Sequence, residues 1–348
     1  MKRIFGIDLL KALAVIMVIS VHFFLNNGFY DVNVKGTGMF ISVILRWIFY
    51  IGVPLFIIIT GYLNTNKKFS KEYYKKLNKI LISYVFISCI CILFRICYFH
   101  EHMRKLKWII SVFDFTADGY SWYVEMYIGL FLLIPFLNIL YKELETKKNK
   151  QMLIAILGLL VSVQPLINYL HINDIKLELI PDWWTGIYPL IYYFIGCYIK
   201  EYQIKINKIK GLIIFIGIIL VESIVSYLYN YNSIFSWDFI GGYGSLQVII
   251  ISIIVFLLLY NIECNNKIIK KIFSKISNLS LDIYLFSYIV DSIVYNKLGE
   301  KLNSPVEYLK YFIIIVPVVF ITSFILSYIK DIIFNIIGIL KNKLINKK

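Results

Sequence analysis

The residues with chemical potential begin in one apolar stretch, Phe5 to Leu25, which holds Asp8, Lys11 and His22. An ionisable group at the centre of a membrane-spanning helix costs roughly 2.5–3.5 kcal/mol for Lys or Asp, so each needs a partner or a task. At about 100° per residue, Lys11 and His22 point within roughly 20° of each other and stand about 16 Å apart along a helix. Asp8 lies within about 60° of Lys11 and about 40° of His22, so the three share one face. The opposite faces carry Leu, Val, Ile and Met, and the charged face is expected to turn toward other helices or a water-filled cavity. A histidine in such a place either acts as a general base at neutral pH or hydrogen-bonds a neighbouring helix. Lys11 either attracts a phosphate or pairs with Asp8 at i,i+3, and the two roles are compatible.

Other groups lie further along. Glu125 closes the segment Tyr120-Ser121-Trp122-Tyr123-Val124-Glu125 at a depth similar to that of His22. It would orient the imidazole, contact a substrate hydroxyl, or simply sit at a helix start where the dipole favours it. Lys76 and Lys79 fall one helical turn apart behind Tyr73 and Tyr74; they would hold phosphates or enforce topology. Glu222, midway in an apolar run, needs a partner or water. Gly52 and Pro54 predict a kink and a point of close packing. Cys89, Cys91, Cys97, Cys197 and Cys264 are odd in number and have no metal-ligand spacing, so neither a metal site nor a disulfide framework is expected.

The elements that must position these residues are membrane spans. The 348 residues are 59% hydrophobic, above the roughly 45–50% of soluble domains, with a mean hydropathy of +0.74. Ten apolar runs can be drawn, at 5–25, 39–63, 80–98, 122–141, 151–170, 186–200, 211–230, 244–262, 279–296 and 309–329. The sixth is short, and Asp282 and Asp291 weaken the ninth. The expectation is an all-α membrane protein, a bundle of about ten transmembrane helices over 1–330. A basic amphipathic tail over 331–348 would lie on the inner surface.

Lysines cluster in alternate loops: at 67–79, 142–150, 200–210, 267–275 and in the tail. The positive-inside rule then places both termini in the cytoplasm, and the first run is read as a retained span. The net charge of +15 is accounted for by these loops, so a nucleic-acid partner is not expected. Of the opposite loops, 171–185 carries Asp174, Glu178, Asp182, Trp183 and Trp184, and 231–243 carries Trp237, Asp238 and Gly241-Gly242. Tryptophans with carboxylates suit a sugar, although an interfacial aromatic belt is the favoured account of them.

At these residues the chain resembles the membrane acyltransferase-3 family, bacterial O-acyltransferases that modify cell-surface sugars. The resemblance runs through Asp8-Leu9-Leu10-Lys11 with His22, Gly52-Val53-Pro54-Leu55-Phe56 with Thr60-Gly61-Tyr62, and Trp122-Tyr123 running to Pro135. It continues through Tyr188-Pro189 with Tyr193-Phe194-Ile195-Gly196, and Ser280-Leu281-Asp282-Ile283-Tyr284-Leu285. Lys11, Lys76 and Lys79 stand where the family has arginines, and Ser287 where many members have a histidine. The resemblance implies a multi-pass protein of the bacterial plasma membrane. It would take an acyl group, commonly acetyl or succinyl, from cytoplasmic acyl-CoA without a metal. The acceptor would be a hydroxyl of an outer sugar, polysaccharide or glycolipid. His22 would be the base, with Glu125 beside it. Asp8, Lys11, Lys76, Lys79, Trp122 and Tyr123 would bind substrate.

Two other classes stay open at this point. An exporter or flippase of a polysaccharide or lipid-linked sugar would also have about ten spans and a polar cavity, although no symmetry of broken helices between two halves is visible. A membrane scaffold or sensor with a degenerate site is the third reading.

Overall fold

The computed structural model describes residues 3–167, 171–172, 175–176, 180–236 and 242–345. The first half holds α1 (Phe5–Asn26), α2 (Gly36–Tyr50), α3 (Gly52–Asn64), α4 (Lys71–Tyr74), α5 (Leu77–Tyr98), α6 (Lys105–Phe113) and α7 (Trp122–Glu143). The second holds α8 (Lys147–Ile167), α9 (Tyr188–Tyr202), α10 (Lys208–Tyr229), α11 (Leu246–Leu259), α12 (Lys267–Gly299), α13 (Pro305–Lys310) and α14 (Phe312–Ile345). Two-residue strands, β1 (His171–Ile172) and β2 (Ile175–Lys176), pair antiparallel. The rest of the described chain is helix and connection.

Seven helical stretches among the described residues are long and apolar enough to cross a membrane, which makes this a multi-pass membrane protein. They are α1, α2 with α3, α4 with α5, α7, α8, α10 and α14. Three of the ten expected spans do not meet that measure. The sixth and eighth are α9 and α11, of 15 and 14 residues. The ninth lies inside the 33-residue α12, which carries charged residues along its length. A helix packed among other helices has no need of a long lipid-facing surface, and α9 is of that kind. Gly61 of α3 and Gly196 of α9 let the two backbones meet, since a Cβ on either would stand about 2 Å from a carbonyl oxygen of the other helix.

Burial sorts the helices into an inner and an outer set. In α1 and in α2–α3, 72% of the most apolar stretch is buried; in α5, α8, α10 and α14 only 28% is. The central helix, α1, packs against α2, α3, α11, α12 and α14. Its start is held by Arg3, whose guanidinium binds the Asp8 carboxylate at 2.5 and 2.9 Å and reaches Ser274 and Asn278 on α12. The second expected span is broken at Ile51, between α2 and α3. Pro54, in the first turn of α3, lacks an N–H and crowds the carbonyl four residues back, which favours a break there. The tail from 331 continues α14 as helix to Ile345.

Several polar residues expected to need partners have them. Gln247 donates to Glu222 at 3.3 Å. Lys330 of α14 donates to Asp282 of α12 at 2.8 Å and to Ser83 of α5 at 2.5 Å, and Ser83 also binds Asp282. Arg46 is fully buried; it donates to the Tyr30 hydroxyl at 2.9 Å and lies within 4.7 Å of the ring centres of Trp47, Tyr50 and Phe235.

Candidate functional site

Two cavities lie along α1, toward its opposite ends. The larger, about 330 Å³, takes Lys11 from α1, Lys79 and Ser83 from α5, Tyr123 and Tyr127 from α7, Asn278 and Asp282 from α12, and Lys330 from α14. The smaller, about 220 Å³, takes His22 and Leu25 from α1, Tyr50 from α2, Trp122 from α7, and Tyr243. Val18, Val53 and Tyr284 line both. The helical spacing read in the sequence therefore places Lys11 in one compartment and His22 in the other.

The larger cavity is cationic. Lys11 is half-buried and Lys79 exposed; Lys330 is buried, with its charge met by Asp282. Lys11 does not pair with Asp8 as expected, because Arg3 holds that carboxylate. Asp8 lines neither cavity; its work is to fasten the start of α1. Among the described residues Lys11 has no ion pair within 4.0 Å, so its charge is available to a ligand. The expected Lys76 and Lys79 pair separates. Lys79 reaches the cavity, whereas Lys76 is exposed at the start of α5 and lines neither cavity.

The smaller cavity is aromatic, with one imidazole. Tyr50 stacks on Tyr243 at 4.6 Å between ring centres, and Tyr243 on Trp122 at 5.8 Å. Leu25 and Trp122 are 45% and 38% exposed, so the cavity meets the surface beside them. His22 is buried, and its ring stacks on that of Tyr120 at 3.7 Å. Its Nδ1 stands 3.9 Å from Oδ2 of Asp291, and among the described residues neither Nδ1 nor Asp291 Oδ1 has a hydrogen-bond partner. Nδ1 is closed off, which leaves Nε2 as the nitrogen that the cavity can reach.

Asp291 is itself held. The Tyr120 hydroxyl donates to Oδ2 at 2.9 Å, and Asn26 donates to the same hydroxyl at 2.9 Å and to the His22 carbonyl at 2.7 Å. Tyr120 stands on a turn built by Asp118, which accepts from the Tyr120 N–H at 2.8 Å and the Ser121 hydroxyl at 2.6 Å. Burial pushes the Asp118 carboxyl above its usual range, and these hydrogen bonds partly oppose that. The Tyr284 hydroxyl binds the Tyr120 carbonyl.

Glu125 does not join this group. It is exposed and lines neither cavity. The carboxylate facing the imidazole is that of Asp291. Ser287 is buried and donates to the Tyr284 carbonyl at 2.7 Å. Trp183 and Trp184 stack on each other at 4.3 Å, with Trp183 exposed. Asp174, Glu178, Trp237, Asp238 and Gly241 lie outside the described residues.

Asp291, Tyr120 and Lys330 are the site residues that sequence reading passed over. Their signal was present for Asp291, an ionisable group in an apolar run, which by default has a task. Tyr120 and Lys330 gave none, because only tertiary packing brings them to the site.

An imidazole with one reachable nitrogen can take a proton from a hydroxyl. The adjoining cationic cavity can hold an anionic group about 16 Å lower along α1. No curated protein and no solved structure was found to match the chain. The model of one family, described as an acyltransferase domain, matches residues 4–328. With that match over nearly its whole length, this multi-pass chain belongs to the acyltransferase-3 family.

Proposed function

We propose that the protein transfers an acyl group from coenzyme A thioester, held in the larger cavity, to a hydroxyl of an extracytoplasmic sugar, polysaccharide or glycolipid at the smaller one. The observation that carries this reading is the union of the two compartments. A cationic cavity and an imidazole-bearing aromatic cavity meet at three shared side chains. Lys11 and Lys79 suit the phosphates of coenzyme A, and the aromatic wall suits a sugar ring. The lysine-rich loops support ten spans with both termini in the cytoplasm of a bacterial cell, which puts the larger cavity on the inner side.

In this reading His22 Nε2 takes the proton of the acceptor hydroxyl as its oxygen attacks the thioester carbonyl carbon. A carbon–oxygen bond forms, the carbon–sulfur bond breaks, and the thiolate leaves with the proton returned by the imidazolium. The products are an ester and free coenzyme A. Asp291 faces Nδ1, which carries the N–H of the neutral imidazole when Nε2 is the base, and so opposes the positive charge that develops on protonation.

The test compares surface glycans from cells with the wild-type protein, His22→Ala and no protein, by mass spectrometry after feeding labelled acetate. An acyl mass found only with the wild type is expected, with unmodified glycan still reaching the surface in the other two. A glycan that fails to reach the surface, with no acyl difference, would reject transfer in favour of export.

A further inference from the structure

Val18, Val53 and Tyr284 form the wall that the two cavities share, and all three are buried, at 6, 4 and 5% exposure. Val18 stands one turn before His22 on α1, and Val53 follows the break at Ile51. The wall is held from behind. A Cβ on Gly52 would lie 2.9 Å from the Ala14 carbonyl and from a Val18 methyl, so α1 and α3 touch at this level. Tyr284 is fastened by its hydroxyl to the Tyr120 carbonyl, and its ring lies 5.9 Å from that of His22.

We propose that Val18, Val53 and Tyr284 form a collar that admits a short, neutral, unbranched acyl group and rejects a charged or branched one. This rests on the reading of the larger cavity as the donor site. A donor entering there presents its acyl group first, and the acyl group must pass the collar before the thioester carbonyl can meet His22. Each valine carries two methyl groups on Cβ and is stiff at χ1. A straight chain can slide between such walls, whereas a branch beside the carbonyl collides with them. Beyond the collar, no lysine or arginine lines the smaller cavity among the described residues. A succinyl carboxylate carried through would find an aromatic wall with no cationic side chain lining it. Lys11, Lys79 and Lys330 all lie on the other side and would retain it there. The smaller cavity must also seat the acceptor hydroxyl in about 220 Å³, which favours a short chain.

The experiment uses membranes from producing cells, which bring their own acceptor. They are incubated separately with radiolabelled acetyl-, propionyl-, isobutyryl- and succinyl-CoA, and label in the glycan and lipid fractions is counted against membranes lacking the protein. The wild type is expected to use acetyl best, propionyl less, and isobutyryl and succinyl at least about tenfold less, the scale on which a pocket discriminates one methylene. Val18→Ala and Val53→Ala each widen the collar and should raise the isobutyryl-to-acetyl ratio by about tenfold. A wild type that uses succinyl or isobutyryl as well as acetyl overturns the collar, whatever the variants do. So does an unchanged ratio in variants that still transfer acetyl. Label from none of the four thioesters overturns the donor reading, and the collar falls with it.

Discussion

Asp291 on α12 turns its carboxylate toward Nδ1 of His22 on α1 at 3.9 Å, and the Tyr120 hydroxyl, 2.9 Å from the same oxygen, fixes that carboxylate in place. The two residues are 269 positions apart in the chain, and Tyr120 touches both. Asp291→Asn keeps the shape and removes the charge. It should lower acyl transfer while protein level in the membrane stays unchanged, and Asp291→Glu should recover part of the loss. His22→Ala should lose about 10²–10⁴-fold, the usual contribution of a general base. Wild-type rates in Asp291→Asn would reject the partnership.

The larger cavity divides two neighbouring lysines. Lys79→Ala should raise the KM for acetyl-CoA with little change in kcat, and Lys76→Ala should do neither, because only Lys79 faces the cavity. Lys11→Arg should keep more function than Lys11→Ala if the residue meets phosphate, since either cation serves. Equal KM effects at 76 and 79 would show that the loop acts through its overall charge.

Lys330 and Asp282 are a buried ion pair, and removing one partner strands the other. Lys330→Ala should destabilise the protein by about 3–5 kcal/mol. The double variant Lys330→Met with Asp282→Leu should recover much of that, since an apolar pair leaves no charge uncompensated. Thermal unfolding in detergent, followed by near-UV circular dichroism, measures both. A double variant less stable than Lys330→Ala would mean that the pair does more than neutralise itself.

Asp118 gives a pH dependence outside the spans. Its carboxyl titrates higher in the folded protein than in the unfolded chain. Its contribution is therefore fully present below the unfolded value near 3.8 and is lost as pH rises through the raised folded value. Asp118→Asn stays neutral and keeps an acceptor for the Tyr120 N–H. The melting temperature of Asp118→Asn relative to wild type should rise with pH above about 4 and then level off. A difference that shrinks with rising pH would contradict the buried-carboxyl account.

Topology can be read directly. In a cysteine-free background, Lys68→Cys should be shielded from an impermeant maleimide added to whole cells, and Met103→Cys should react; both positions are exposed. The reverse pattern would place the donor cavity on the outer side and end the proposed mechanism.

The sequence made the membrane class, the central helix and its Lys11–His22 face legible, because a 3.6-residue period and the cost of charge in lipid both act locally along the chain. Asp8 was misread for a simple reason: Arg3, only five residues away, lies before the apolar stretch and wraps back onto it. Glu125 was matched with His22 by depth along the span, and it stands exposed outside both cavities. Asp291 and Tyr120 meet His22 only through the packing of α1, α12 and the turn before α7, which no local pattern encodes. The same holds for α9 and α12. A helix enclosed by its neighbours escapes the length and hydropathy that lipid imposes, and so blurs the count of spans.

The tie between Lys330, Asp282 and Ser83 also orders events in time. It joins α5, α12 and α14, and its lysine, on α14, comes 247 residues after Ser83 and 48 after Asp282. Until that helix arrives, Asp282 has no counter-ion and the larger cavity lacks one wall. The compartment that would receive the donor thus closes only once α14 has been made, and a chain arrested before α14 would lack that wall.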